Sequence, residues 1–199
     1  MRAETIAITA LVAFGLSGCD RLGWPVSSTS KPKSPELQLD YSILLDGAPP
    51  RRISEKYQFQ SGDRFRLEVR PAFAGWVYLF SRGAGQKEYL CLYPNQDAQR
   101  GKALISGQTV TLPGGDNWYT LDDSPGSEAM VLVASAMPIA DLGPSVPLAQ
   151  DDFEERIAKL ERERRPRTAK RVEEAGWTKL FVSHDDAAAM VMRISIDHK

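Results

Sequence analysis

Hydrophobic positions along the chain fall into three regimes. An apolar run, with Thr9 inside it, spans Ile6 to Leu16, a polar stretch with three prolines spans Asp20 to Pro35, and from Glu36 apolar residues recur mostly at every second position. The last regime marks half-buried strands, whose side chains alternate between two faces. Leu37, Leu39, Tyr41, Ile43 and Leu45 share one face of a predicted strand that Asp46-Gly47 ends. Pro49 to Arg52 reads as a loop, Tyr57 and Phe59 as the start of another short strand, and Ser61-Gly62-Asp63 as a turn. Phe65, Leu67 and Val69 then alternate with Arg64, Arg66, Glu68 and Arg70, the cleanest half-buried pattern in the chain, until Pro71 ends it. Gly75 to Phe80 is apolar on both faces and predicts a central strand. The loop Ser81 to Gln86 returns the chain antiparallel into Lys87 to Tyr93. Short strands are predicted at Thr109 to Leu112 and Asn117 to Leu121, and a second two-faced strand at Glu128 to Ala136.

The period changes after Asp151. Phe153, Ile157 and Leu160 lie on one helical face. Asp151 with Glu154 reads as a capping-box variant, Glu155–Lys159 and Glu161–Arg165 stand at i,i+4, and Pro166 stops the helix. Thr168 to Ala175 reads as a second short helix closed by Gly176. Strands at Trp177 to Val182 and Ala188 to Ile196 close the chain. Short strands, turn signals about every ten residues and a helical excursion predict a mainly β fold. The expected form is an antiparallel β-sandwich or open barrel with one or two α-helices near the C-terminus.

The apolar run at the start has a different meaning. It is too short to cross a bilayer comfortably, which takes about 20 residues, and it matches a signal-peptide core. Small residues follow it, and Leu16-Ser17-Gly18-Cys19 resembles a bacterial lipobox at every position. That resemblance implies cleavage between Gly18 and Cys19, with Leu16, Ser17 and Gly18 recognised by the signal peptidase. It also implies a diacylglycerol on the Cys19 thiol and palmitate-type acylation of the new α-amine. Each buried methylene is worth about 0.8 kcal/mol, and two or more chains anchor a protein stably where one does not. Asp20, directly after the cysteine, resembles the retention signal of enteric-type lipoprotein sorting and favours the inner membrane over the outer. Three segments follow: residues 1–18 as signal peptide, 19–35 as a lipidated Pro/Ser-rich tether, and 36–199 as a single β-rich domain.

Composition narrows the chemistry. The 199 residues carry a net charge of −1, which offers no general attraction to nucleic acid. With Cys19 lipidated, Cys91 is the remaining cysteine, so no internal disulfide is expected. Cys91 alternates within Tyr89-Leu90-Cys91-Leu92-Tyr93 and reads as a buried small hydrophobe, with Tyr89 and Tyr93 on its face. Ser183-His184-Asp185 contains the three triad residue types, but neighbours in sequence point apart and no Gly-x-Ser-x-Gly elbow is present. Only His184 and His198 are available as imidazole ligands, and Asp122-Asp123, Asp151-Asp152 and Asp185-Asp186 lack calcium-loop spacing. No catalytic residue, cofactor or metal is expected. The charged block Glu161 to Arg171 is largely self-neutralising and reads as a solvated helix face. Trp76, Tyr78 and Phe80 share a strand face, and Trp118 follows a glycine turn; Trp76 and Trp118 are the candidate ligand-facing aromatics.

Several of these pieces occur in a fixed order. Gly62-Asp63-Arg64 precedes Gly75-Trp-Val-Tyr78-Leu-Phe80, then Tyr89-Leu-Cys-Leu-Tyr93-Pro94-Asn95, Leu112-Pro113 and Pro125-Gly126-Ser127-Glu128. From about Leu37 to Pro138 the chain resembles the bacterial domain-of-unknown-function 4384 family. The resemblance implies a β-rich extracytoplasmic module, found alone in lipoproteins or fused to peptidase, kinase or secretion-type modules. It transfers no catalytic residue. The combined expectation is a lipid-anchored periplasmic protein that binds a protein partner in an envelope assembly and is not an enzyme. A module for envelope polysaccharide, or an unrecognised enzyme, is the alternative.

Overall fold

The computed structural model describes residues 36–94, 103–142, 147–164, 168–183 and 189–199. The tetrad Leu16 to Cys19, the adjoining Asp20, the tether, and the pair His184-Asp185 lie outside these residues. The described strands are β1 (Glu36–Leu45), β2 (Arg51–Ile53), β3 (Arg64–Pro71), β4 (Trp76–Arg82), β5 (Glu88–Tyr93), β6 (Val110–Leu112), β7 (Tyr119–Thr120), β8 (Gly126–Ser135), β9 (Leu148–Ala149), β10 (Thr168–Glu174), β11 (Trp177–Ser183) and β12 (Ala189–His198). The helix α1 covers Gln150–Glu163.

Two antiparallel sheets stack on each other. The larger follows the order β10-β11-β1-β3-β6, with β2 also paired to β1 and β7 to β3; the smaller follows β12-β8-β4-β5-β9. They do not close into a barrel, so the sandwich form of the predicted fold is the one adopted. The alternation read from sequence sets the core between them. Leu37, Leu39, Tyr41, Ile43, Leu45, Phe65, Leu67 and Val69 face inward from the large sheet. Val77, Leu79, Met130, Leu132, Met190, Ile194 and Ile196 meet them from the small sheet.

The two-faced strands β4 and β8 need a second apolar partner, and α1 supplies it. Tyr78, Phe80, Val131 and Val133 point away from the sandwich core and pack under Phe153, Ile157 and Leu160 of the helix. Ile139 and Leu142 complete that cluster, and the Tyr78 hydroxyl accepts the Ile139 amide at 2.9 Å. The result is three layers: helix, small sheet, large sheet. The outer face of the large sheet belongs to neither apolar cluster.

Some local expectations change. Thr168–Glu174 is strand β10, not a second helix, and it forms a hairpin with β11. The turn between them places Ala175 at φ 50° and Gly176 at φ 76°, the paired left-handed residues of a tight two-residue hairpin turn. Good helix formers along this segment are overridden by seven backbone pairings to β11. Arg51 and Arg52, expected in a loop, belong to β2. Phe59 forms a single bridge to His198 in place of a strand. The capping box is not formed: the N-cap is Ala149, without a side-chain hydrogen bond. Glu154 and Glu161 reach instead across to Arg193 of β12, at 3.0 and 3.9 Å. The block Glu161 to Arg171 is not one helix face, since α1 ends at Glu163 and Arg171 lies in β10. A register shift at Leu79/Phe80 pairs Cys91 with Phe80 but Tyr93 with Leu79. The bulge turns Tyr93 into the sandwich core, while Tyr89 and Cys91 stay on the helix side.

Candidate functional site

The face left open by the three-layer stacking is built from the polar half of the alternating strands. Arg64, Arg66, Glu68 and Arg70 of β3 point to it, since Phe65, Leu67 and Val69 point in. Register sets their neighbours: Arg70 stands opposite Asp40, Glu68 opposite Ser42, and Arg66 opposite Leu44. On the other side of β1, Asp40 stands opposite Lys179 and Leu44 opposite Arg52. Leu44 is buried on this polar face, flanked by Arg52 and Arg66, whose aliphatic stems provide the cover.

Most cations here have a carboxylate. Arg52 bonds Glu68 at 2.8 Å, Arg70 bonds Asp40 at 2.7 Å, Lys179 bonds Glu174 at 2.6 Å, and Arg64 pairs with Asp46. Asp40 is buried and accepts a further bond from Gln38 Nε2 at 2.8 Å. The ammonium of Lys179 lowers the pKa of Glu174 through their hydrogen bond. Arg66 differs. It forms no ion pair among the described residues, and its Nε is buried without a hydrogen-bond partner. Its guanidinium lies 4.3 Å from the centre of the Trp118 ring, with that of Arg64 at 6.0 Å. A second tryptophan repeats the arrangement: Arg52 and Arg70 lie 4.9 and 4.8 Å from the centre of Trp177. The open face therefore carries two arginine-flanked tryptophans, each half-buried.

The two aromatics singled out in sequence do not meet. Trp76 lies on β4 and packs against the helix-side cluster, whereas Trp118 lies against the arginines of β3. No single platform contains both. The partner of Trp118 on its face is Trp177, which in the sequence alone is an ordinary residue at the start of a predicted strand. The arginine-rich polar side of β3 was the available signal.

A second feature is a cleft of about 320 Å³ at one end of the sandwich, between β3/β7 and β4/β5/β8. Phe65, Leu90, Leu92 and Met130 give it an apolar floor, with Ser81, Glu88, Tyr119 and Glu128 as polar lining. Leu90 is half-exposed there. The Tyr119 hydroxyl is buried without a partner among the described residues, and burial raises its pKa. Burial also raises the pKa of Glu128, with His198 opposing and Asp122 adding to the shift. Cys91 is half-buried, and desolvation pushes its thiol up to about 11, which makes it a poor nucleophile near neutral pH.

The model for a domain of unknown function, DUF4384, matches residues 58–138. The chain carries a DUF4384-like domain. The matched stretch supplies β3 to β8, and with them Arg64, Arg66 and Arg70 of the open face, Trp118 and the whole lining of the cleft. β1, β2 and β9 to β12 lie outside the match and complete both sheets, and α1 lies outside it too. No curated protein and no solved structure matches the chain. No helix among the described residues is long and apolar enough to cross a membrane.

Proposed function

We propose that this chain is a lipid-anchored periplasmic protein that binds a protein partner through the open face of its large sheet, as a scaffolding component of an envelope assembly. The observation that carries the reading is the pair of arginine-flanked tryptophans, Trp118 and Trp177, on the face left outside both apolar clusters. Tryptophan and arginine dominate the energetics of protein interfaces because they bury a large area and retain polar reach. Arg66, without a carboxylate among the described residues, favours a partner that brings one. The anchor rests on the Leu16-Ser17-Gly18-Cys19 sequence, and Asp20 favours the inner membrane.

The test is site-specific photocrosslinking in intact cells. A crosslinking residue replacing Thr111 on the open face should capture a discrete protein, and one replacing Lys159 on α1 should not. Trp118→Ala with Trp177→Ala should reduce that capture at least about tenfold, since a tryptophan acting as an interface hot spot is worth about 2 kcal/mol or more. Cys19→Ala should release the protein from the membrane fraction. Equal capture at both positions, or capture of peptidoglycan fragments alone, would remove the protein-partner reading; the latter outcome would support the polysaccharide alternative.

A further inference from the structure

At the end of β8 and β12, inward-facing positions change from apolar to ionisable. Met130, Ile194 and Ile196 face the core, and the next inward positions are Glu128 on β8 and His198 on β12. The loop leading into β8 adds Asp122. One donor atom from each of Asp122, Glu128 and His198 lies within 4.8 Å of the other two. His198 is far in sequence from Asp122 and Glu128, and the three share no ligand spacing, which is why no metal motif is legible in the chain.

An acidic pair beside a histidine is not by itself a site. The second observation is the state of the imidazole. His198 is 4% exposed. Its Nε2 stands 2.5 Å from the Ser124 carbonyl oxygen, to which it donates. Its Nδ1 is buried and has no partner among the described residues. A neutral ring that donates from Nε2 holds a lone pair on Nδ1, and backbone anchoring of one nitrogen is how proteins orient a ligating imidazole. The same loop orients the carboxylate: Asp122 Oδ1 accepts the Ser124 amide at 2.7 Å. A buried acceptor left unmet costs about 1–3 kcal/mol, so an occupant for Nδ1 is favoured.

We propose that Asp122, Glu128 and His198 bind a divalent transition-metal ion, with His198 ligating through Nδ1. Two carboxylates balance the charge of the ion where Glu128 is desolvated. The donor set, one nitrogen and two carboxylate oxygens, suits zinc. Zinc bonds of about 2.0–2.2 Å put tetrahedral ligand atoms about 3.3–3.6 Å apart, so the donors need close by no more than about 1.5 Å. Asp122 is exposed, so the loop that carries it can move towards the imidazole while Oδ1 keeps the Ser124 amide. Three protein donors leave a fourth position, and Glu128 also lines the cleft between the sheets. The ion would clamp the end of β12 to the loop before β8 and present an open coordination site beside that cleft.

The test uses the purified full chain, stripped with a chelator. Zn²⁺ titrated by calorimetry should bind at one equivalent, and Co²⁺ should give the visible absorption of a low-coordinate site. Loss of even an outer-shell partner costs about 10–100-fold in affinity, so Asp122→Asn, Glu128→Gln and His198→Ala should each weaken Zn²⁺ at least about 100-fold. His184→Ala should leave binding unchanged. Zn²⁺ should raise the melting temperature of the parent chain and not that of Asp122→Asn, an exposed substitution that the fold tolerates. Absence of saturable binding, binding unaltered by Asp122→Asn and Glu128→Gln, or loss of binding in His184→Ala would overturn the proposal.

Discussion

Phe153→Ala tests whether the helix is a permanent layer or a lid that a partner displaces. Phe153 is fully buried and meets Tyr89 in a stack with ring centroids 4.0 Å apart, and Phe80 at 4.9 Å. Truncating a buried phenylalanine to alanine costs about 3–5 kcal/mol, through lost transfer energy and the cavity that remains. Full burial and two aromatic partners place this site towards the upper part of that range. Domains of this kind have about 5–15 kcal/mol in total, so the variant should remain folded but visibly weakened. With a urea m-value of about 2–3 kcal/mol per molar, the midpoint should fall by about 1–2 M with m unchanged. Urea unfolding followed by far-UV circular dichroism and tryptophan fluorescence is the assay. Coupling between Phe153→Ala and Tyr89→Ala should reach about 0.5–1.5 kcal/mol in a double-mutant cycle. A loss below about 1.5 kcal/mol, or a separate early transition carrying only the helical signal, would refute the three-layer account. The small sheet would then compete with the large sheet as the docking face.

Three further expectations rest on the surroundings of Cys91 and Gly75. The Cys91 thiol, raised by burial to about 11, should react with iodoacetamide in the native state far more slowly than a model thiol at pH 8, and denaturant should restore the ordinary rate; rapid native alkylation would contradict its placement. Because the folded pKa lies above the unfolded one, its contribution to stability is present below about pH 8.5 and is lost as pH rises through about 11, so denaturation midpoints should decline across that window in the parent and less in Cys91→Ser. Gly75→Ala should destabilise by about 1–3 kcal/mol, because its Cβ would overlap the Ser135 carbonyl oxygen and the Phe73 ring; an unchanged melting temperature would mean that this crossing is loose.

Much of the sandwich was legible because a period-two pattern is a statement about faces. Leu37 to Leu45 and Phe65 to Val69 declared their inward sides, and those residues are the core. β4 and β8, apolar on both faces, declared that they needed two partners. β10 was not legible. Its residues Thr-Ala-Lys-Arg-Val-Glu-Glu suit an exposed helix as well as an edge strand, and only pairing with β11 decides between them. The bulge that turns Tyr93 inward was equally hidden, since it depends on the register against β4.

The sequence by itself determined which side chains of each strand seek apolar surroundings, where the helix lies, and that Leu16 to Cys19 has the pattern of a lipidation site. Those properties are local: hydrophobic period, turn chemistry and a short motif. The tertiary structure decided which sheet the helix covers, and so which face stays open. It also brought Trp118 to Arg66, Trp177 to Arg52 and Arg70, and Asp122 and Glu128 to His198. Each of these meetings joins residues from different strands or loops, and strand order across a sheet is set by the summed burial of whole faces, which no short stretch of chain encodes.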